Sequence, residues 1–205
     1  MCGIFGVRRS WFDGRVPSPD DAFAAALASL HWRGPDGSGL VTLGDWTLGC
    51  ARLAITNRRS RQPVVRRGKS LAGVLNGAIT DARARWPSLL ARSRLPALLP
   101  NDAWQPVLLA QRGDMRALAT FTGHHALAVV DAEHDRLVLA RDAMGEKPLF
   151  ILRDDDRIVA FASSPACLAA LQLPLRLETS SVAEFFARGW VAQCSPAHRA
   201  LTLDP

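Results

Sequence analysis

What this 205-residue chain lacks narrows its class quickly. No stretch approaches the ~20 consecutive apolar residues of a membrane span, although 48% of the residues are hydrophobic. No secretory leader is visible either. The opening apolar run is short, has no basic segment before it, and soon meets Arg8 and Arg9. The chain is therefore expected to be cytoplasmic, with no membrane partner. Its four cysteines, Cys2, Cys50, Cys167 and Cys194, lie far apart, with no CxxC pair and no Cys/His cluster. That spacing suggests neither a zinc site nor a disulfide framework, so no metal is expected. Internal repeats and low-complexity tracts are absent, and the length suits one large core.

Acidic residues are missing from one region. Segment 58–69, RRSRQPVVRRGK, carries Arg58, Arg59, Arg61, Arg66, Arg67 and Lys69 and no carboxylate. Those six charges match the formal net charge of +6, so the remainder balances, nineteen against nineteen. The segment also has no aromatic side chain, whereas nucleic-acid binders interleave stacking rings with a broad basic face. No nucleic-acid partner is expected. Two readings stay open, a solvated loop and a docking patch for an acidic partner surface.

Strand-like runs bounded by turn residues dominate what is present: GIFGV, GLVTL, TLGCARLAIT, SLAGVLNGAI, HHALAVVDA, RLVLARDA, PLFILR and RIVAFASS. EHD between LAVVDA and RLVLAR predicts a hairpin over 125–141, and RDDDR at 153–157 predicts a second turn. Three segments read as helices. PDDAFAAALASL (19–30) has Ser18 as N-cap and early acids, SPACLAAL covers 164–171, and SVAEFFARG (181–189) ends on a C-cap glycine. Segment 82–112 has helical composition but contains Pro87, Pro96, Pro100 and Pro106, which predicts short helices broken by turns. Antiparallel hairpins with helices grouped elsewhere indicate an α+β domain.

The residues with chemical potential are few. MCGIFGV places a cysteine at position two, where a core has no need of a thiol. Either Met1 is removed and Cys2 becomes the N-terminus, or Cys2 is a small apolar residue opening a strand. RGPDG (33–37) reads as a tight turn, with Gly37 able to take a positive φ. LGCARLAIT puts Arg52 within a strand, Leu53 and Ile55 facing away from Arg52 and Ala54. Such an arginine suits a carboxylate, or a plain salt bridge. In NGAITD (76–81), Asn-Gly is ordinarily a hairpin turn. An Asn amide beside a Gly N–H can equally be an oxyanion hole. His124 and His125 are adjacent on a predicted strand, so they face opposite sides and cannot share an ion. Cys167 reads as packing. RDAMGEKPLF reads as a turn joining two strands, with an ion pair between Arg141 and Asp142 left open.

Taken in order, MCGIFGV, RGPDGSG, LGCARLAI, QP at 62–63, NGAI, TGHHALAVVD, ARDAMGEKPLF and FASSPACLAAL resemble the class II glutamine amidotransferase domain of the asparagine synthetase family. The resemblance covers 1–205 as a single domain of that type, with residues 190–205 similar to the linker into a synthetase domain. It implies a four-layer αββα sandwich of the N-terminal nucleophile hydrolase type, built on two mainly antiparallel sheets. It also implies that Met1 is removed and that Cys2 attacks the side-chain amide of glutamine, its own α-amine acting as base. A free α-amine (pKa ~7.7–8.0) and a thiol (~8.5) are matched for that exchange near neutral pH. Carried over by position, Asn76 and Gly77 would hold the oxyanion and Arg52 the α-carboxylate. Leu53, Ala54, Ile55, Thr56 and Ala78 would line the substrate pocket. NDAW best matches the family's SDxE, which makes Asp102 the partner of the α-ammonium.

Departures from the family pattern are specific. Ala78 stands for the Glu of NGEIYN, Thr80 and Asp81 for its Tyr and Asn, Cys50 and Trp32 for His, and Trp104 for the Glu of SDxE. The loss at position 78 removes a negative charge beside the expected α-ammonium pocket. The SGGxDS pyrophosphate motif of the synthetase domain is absent. The expectation is a glutaminase that passes ammonia to a separate synthetase-like subunit, with no cofactor here and ATP and Mg only in that partner. The alternatives are a degenerate scaffold that binds such a partner, and a hydrolase of another amide.

Overall fold

The computed structural model describes residues 1–55, 60–66, 68, 70–91, 101–173, 175–177, 179–189 and 201–203. Two antiparallel sheets organise the chain. The first has strand order β2 (Gly37–Leu43), β3 (Trp46–Arg52), β1 (Gly3–Arg8), β9 (Arg157–Ala162), β8 (Phe150–Asp154). The second runs β4 (Val64–Arg66), β5 (Leu71–Ile79), β6 (Gly123–Asp131), β7 (Arg136–Arg141). Two-residue alternation then sorts the side chains into layers. Ile4, Leu48 and Cys50 from the first sheet meet Ala72, Val74, Ala128 and Val130 from the second in one buried cluster. Phe5, Val7 and Ala160 point the other way, onto α2 (Pro19–Ser29) and α5 (Pro165–Ala169). Leu75, Leu127 and Val129 face α3 (Ala82–Leu90) and α4 (Trp104–Gln111). The result is the expected helix–sheet–sheet–helix sandwich.

Local signals explain most elements. Ser18 caps α2 by accepting from the Asp21 amide at 3.4 Å, and Asp20 and Asp21 favour the positive end of the helix dipole. Both hairpins turn where foreseen, with Asp135 (φ 43°) and Asp155 (φ 50°) in the left-handed region that Asp tolerates. Cys167 is buried in α5 and donates to the Ala26 carbonyl at 3.3 Å; burial pushes its thiol up to about 12. It is a packing residue.

Several expectations need correction. The strand carrying Arg52 ends there, and Leu53–Ile55 are irregular. Gly37 does not take a positive φ; it opens β2 opposite Arg52. Asn76–Gly77 is no turn, because β5 continues through it in register with β6. Pro87 lies inside α3 and does not break it, since Ala82 and Leu89 are anchored in the apolar cluster beneath. Arg141 forms no ion pair with Asp142: it donates to the carbonyls of Lys147 (2.6 Å) and Gly145. Asp142 instead accepts backbone N–H groups of Glu146, Lys147 and His125, which hold its pKa down against the opposing effect of burial. Elements with no sequence warning are α1 (Arg9–Phe12), short 3-10 turns at His31–Arg33 and Met115–Thr120, β4, and the pair β10 (Leu175–Leu177) and β11 (Leu201–Leu203). α6 spans Thr179–Arg188 and is followed by Gly189 at φ 76°. Of the basic segment, Arg66 is anchored to Gln111 at 3.1 Å, while Arg58, Arg59, Arg67 and Lys69 lie outside the described residues, as does Cys194.

Candidate active site

The site begins with strand register. β1 and β3 pair as Gly3 with Ala51 and Ile4 with Cys50, so one step further sets Cys2 alongside Arg52. By alternation both share the face of Ile4 and Cys50, which looks onto the second sheet. Cys2 is buried, and its Sγ donates to the Leu53 carbonyl at 3.8 Å. β1 is tied down at its start: the Ile4 amide donates to Ser163 Oγ at 3.0 Å, and the Ser163 amide returns a bond to the Ile4 carbonyl at 2.8 Å.

RGPDG does more than turn. Arg33 is only 8% exposed, and its Nε donates to the Cys2 carbonyl at 3.3 Å. Burial lowers its pKa, with attraction to Cys2 acting in the opposite sense. Gly34 runs so close to β3 that a Cβ there would lie 2.3 Å from the Ala51 carbonyl oxygen. The Asp36 amide then donates to the Arg52 carbonyl at 3.0 Å, and its carboxylate accepts from the Ala54 amide at 2.7 Å. The motif thereby laces the chain around Arg52 to Ala54. Sequence reasoning missed Arg33 and Asp36 as site residues because a turn motif shows local geometry, not what its side chains reach.

From the second sheet comes Asn76. It shares a face with Val74 and Ala72, the inter-sheet face that also buries Cys2. Asn76 is 0% exposed, and neither its Nδ2 nor its Oδ1 has a hydrogen-bond partner among the described residues. Its neighbour Gly77 has φ 116°, and a Cβ there would meet the His124 carbonyl oxygen at 1.8 Å. Only glycine fits. Just upstream, the buried Gln62 side chain bonds both backbone groups of Leu75, at 2.7 and 3.1 Å, and so fixes the strand leading into Asn76.

Asp102 reaches the same strand end. Its carboxylate accepts from the Ile79 amide at 3.2 Å, one residue beyond Ala78, and burial raises its pKa. Asn101, beside it, donates to the Arg61 carbonyl at 2.9 Å. A cleft of about 540 Å³ is lined by Arg52, Asp36, Gly37, Ser38, Ser60, Arg61 and Gln62. It includes Arg52 but is not lined by Cys2, Asn76 or Asp102. Ala54 follows Leu53 in the loop after β3, Ile55 is largely exposed beyond it, and Thr56 lies outside the described residues. His124 and His125 do diverge: His124 is half exposed, whereas His125 is buried edge-on to Phe121 with its pKa lowered by desolvation.

This chain belongs to the glutamine amidotransferase domain family, whose profile matches residues 1–202. It is similar to asparagine synthetase B [glutamine-hydrolyzing] of Escherichia coli, at 26% identity over 93% of this chain and 35% of that protein. It is also similar to asparagine synthetase [glutamine-hydrolyzing] 3 of Arabidopsis thaliana, at 30% over 82% of this chain and 28% of the relative. A third relative is the asparagine synthetase [glutamine-hydrolyzing] of Asparagus officinalis, at 30% over 74% and 25%. The chain thus spans about a third or less of the length of these curated relatives.

Proposed function

We propose that this chain hydrolyses glutamine through Cys2 and supplies the ammonia to a synthetase-like partner. The observation that carries this reading is Asn76, a fully buried amide with no hydrogen-bond partner among the described residues, on the inter-sheet face shared with a buried cysteine at position two. An unpartnered buried amide is costly unless a ligand completes it. Its Nδ2 suits the oxyanion of a tetrahedral intermediate.

Removal of Met1 turns the Cys2 amide nitrogen into a free amine. That amine accepts the thiol proton as Sγ attacks the amide carbon of glutamine. Asn76 Nδ2 and the Gly77 N–H steady the resulting oxyanion. Collapse expels ammonia, protonated by the α-ammonium, and leaves a thioester on Cys2. Water, deprotonated by the same amine, then releases glutamate. Arg52 holds the substrate α-carboxylate in bidentate fashion, and Asp102 faces its α-ammonium. The relatives' names, which include glutamine hydrolysis, support the reaction class.

The test is glutamate release by the purified protein. Cys2→Ala is expected to abolish it; equal rates in both proteins would refute the reading. A second reading, a scaffold that binds the partner without hydrolysis, draws support from Ala78. Intact mass separates the two, because retained Met1 leaves Cys2 without an amine.

A further inference from the structure

Resting on the glutaminase reading, a second question concerns the α-ammonium. An ammonium has three donors and needs acceptors around it when it leaves water. Asp102 supplies one carboxylate at the end of β5, next to Ala78, and Ala78 itself supplies nothing. Directly across the ladder from Ala78 stands His124. Directly opposed residues on an antiparallel pair project to the same face about 4.5–5.5 Å apart at Cβ. His124 therefore stands on the face of Asn76 and Ala78, where a longer side chain at position 78 would have lain.

His124 is also held. Its Nδ1 is 2.9 Å from Glu146 Oε1, and both side chains are about half exposed, 53% and 49%. Glu146 is positioned in turn, since its amide donates to Asp142 Oδ1 at 2.8 Å and the Asp142 amide donates to the His125 carbonyl at 2.7 Å. A carboxylate on Nδ1 selects the ring tautomer in which Nδ1 carries the proton and Nε2 the lone pair. The pair is thus a carboxylate transmitted through an imidazole.

We infer that Glu146 and His124 together supply the second acceptor for the substrate α-ammonium, in place of the carboxylate that residue 78 lacks. His124 contacts the substrate through Nε2; Glu146 positions the ring and adds negative charge behind it. The site thereby selects an α-amino acid amide despite Ala78.

Binding tests this apart from catalysis. Glutamine and glutaramate, which keeps the carboxylate and the amide but has no α-amine, are titrated calorimetrically into the Cys2→Ala protein. Adding His124→Ala is expected to weaken glutamine about tenfold, as for a lost hydrogen bond to a charged group, and to leave glutaramate unchanged. Glu146→Gln is expected to weaken glutamine in the same direction and by less. Ala78→Glu on the His124→Ala background is expected to restore it. Unchanged glutamine affinity in His124→Ala, equal weakening of both ligands, or no glutamine binding by the Cys2→Ala protein would overturn the inference. Failure of the unmutated protein to release glutamate, with this binding pattern intact, would refute the glutaminase reading alone.

Discussion

The two halves of the β5–β6 ladder use the same backbone pairing for opposite purposes. From Leu71 to Leu75, opposite Leu127 to Asp131, nearly every side chain is apolar and buried on both faces of the sheet. From Asn76 to Ile79, opposite Gly123 to Ala126, the same ladder carries an unpartnered amide, two glycines with positive φ and two histidines. The first half contributes burial; the second carries polar groups, among them Asn76 and His125 Nδ1, that the described residues leave without partners. The candidate site is held in place because it continues a packed strand, not because its own groups satisfy one another.

Perturbing the apolar half should act on folding. Leu127→Ala removes a fully buried side chain between the sheet and α4, and a loss of about 2–5 kcal/mol is expected in denaturant unfolding. Glutaminase activity per folded molecule should stay near that of the parent. Perturbing the polar half should do the reverse. Asn76→Ala is expected to slow glutamine turnover by about 10²–10³, the loss typical of one oxyanion donor. Its stability should shift by about 1 kcal/mol or less, because removing an unpartnered amide offsets much of the cavity left behind. Equal stability losses in the two variants would erase the distinction between the halves.

A smaller effect sharpens the same contrast. Burial raises the Asp102 pKa in the folded chain, so the fold retains this proton above the ordinary carboxylate value. Stability from this group therefore falls as pH rises from the unfolded value through the raised folded one. Asp102→Asn removes that penalty and keeps an oxygen for the Ile79 amide. The variant should match the parent at low pH and gain stability over it toward neutral pH, while binding glutamine more weakly. Urea midpoints across that pH range would measure it; a constant difference at every pH would contradict it.

Much of this was legible in the sequence, for physical reasons that can be named. Alternating apolar residues and Asp-rich turns encode the hairpins locally, and Ser18 encodes the start of α2. Arg52 was readable as a candidate because an arginine within an apolar strand-like run suits an anion, and Asn76 and Gly77 because an Asn amide beside a Gly N–H can hold an oxyanion even where the pair reads as a turn. β4 was hidden because three residues within a basic segment become a strand only through pairing with Leu71–Gly73. β10 and β11 pair across more than twenty residues and carry no local mark. Arg33 was missed for the same kind of reason, since its burial against the Cys2 carbonyl is a tertiary fact. Gly37 is able by residue type to take a positive φ, but its pairing with Arg52 at the start of β2 makes that unnecessary.

The most direct test treats the purified protein with an electrophilic glutamine analogue and reads intact mass. The account predicts a chain that has lost Met1 and carries a single adduct, mapped to Cys2 and abolished in Cys2→Ala. A chain that keeps Met1 and takes no label, or one labelled equally without the Cys2 thiol, would contradict it.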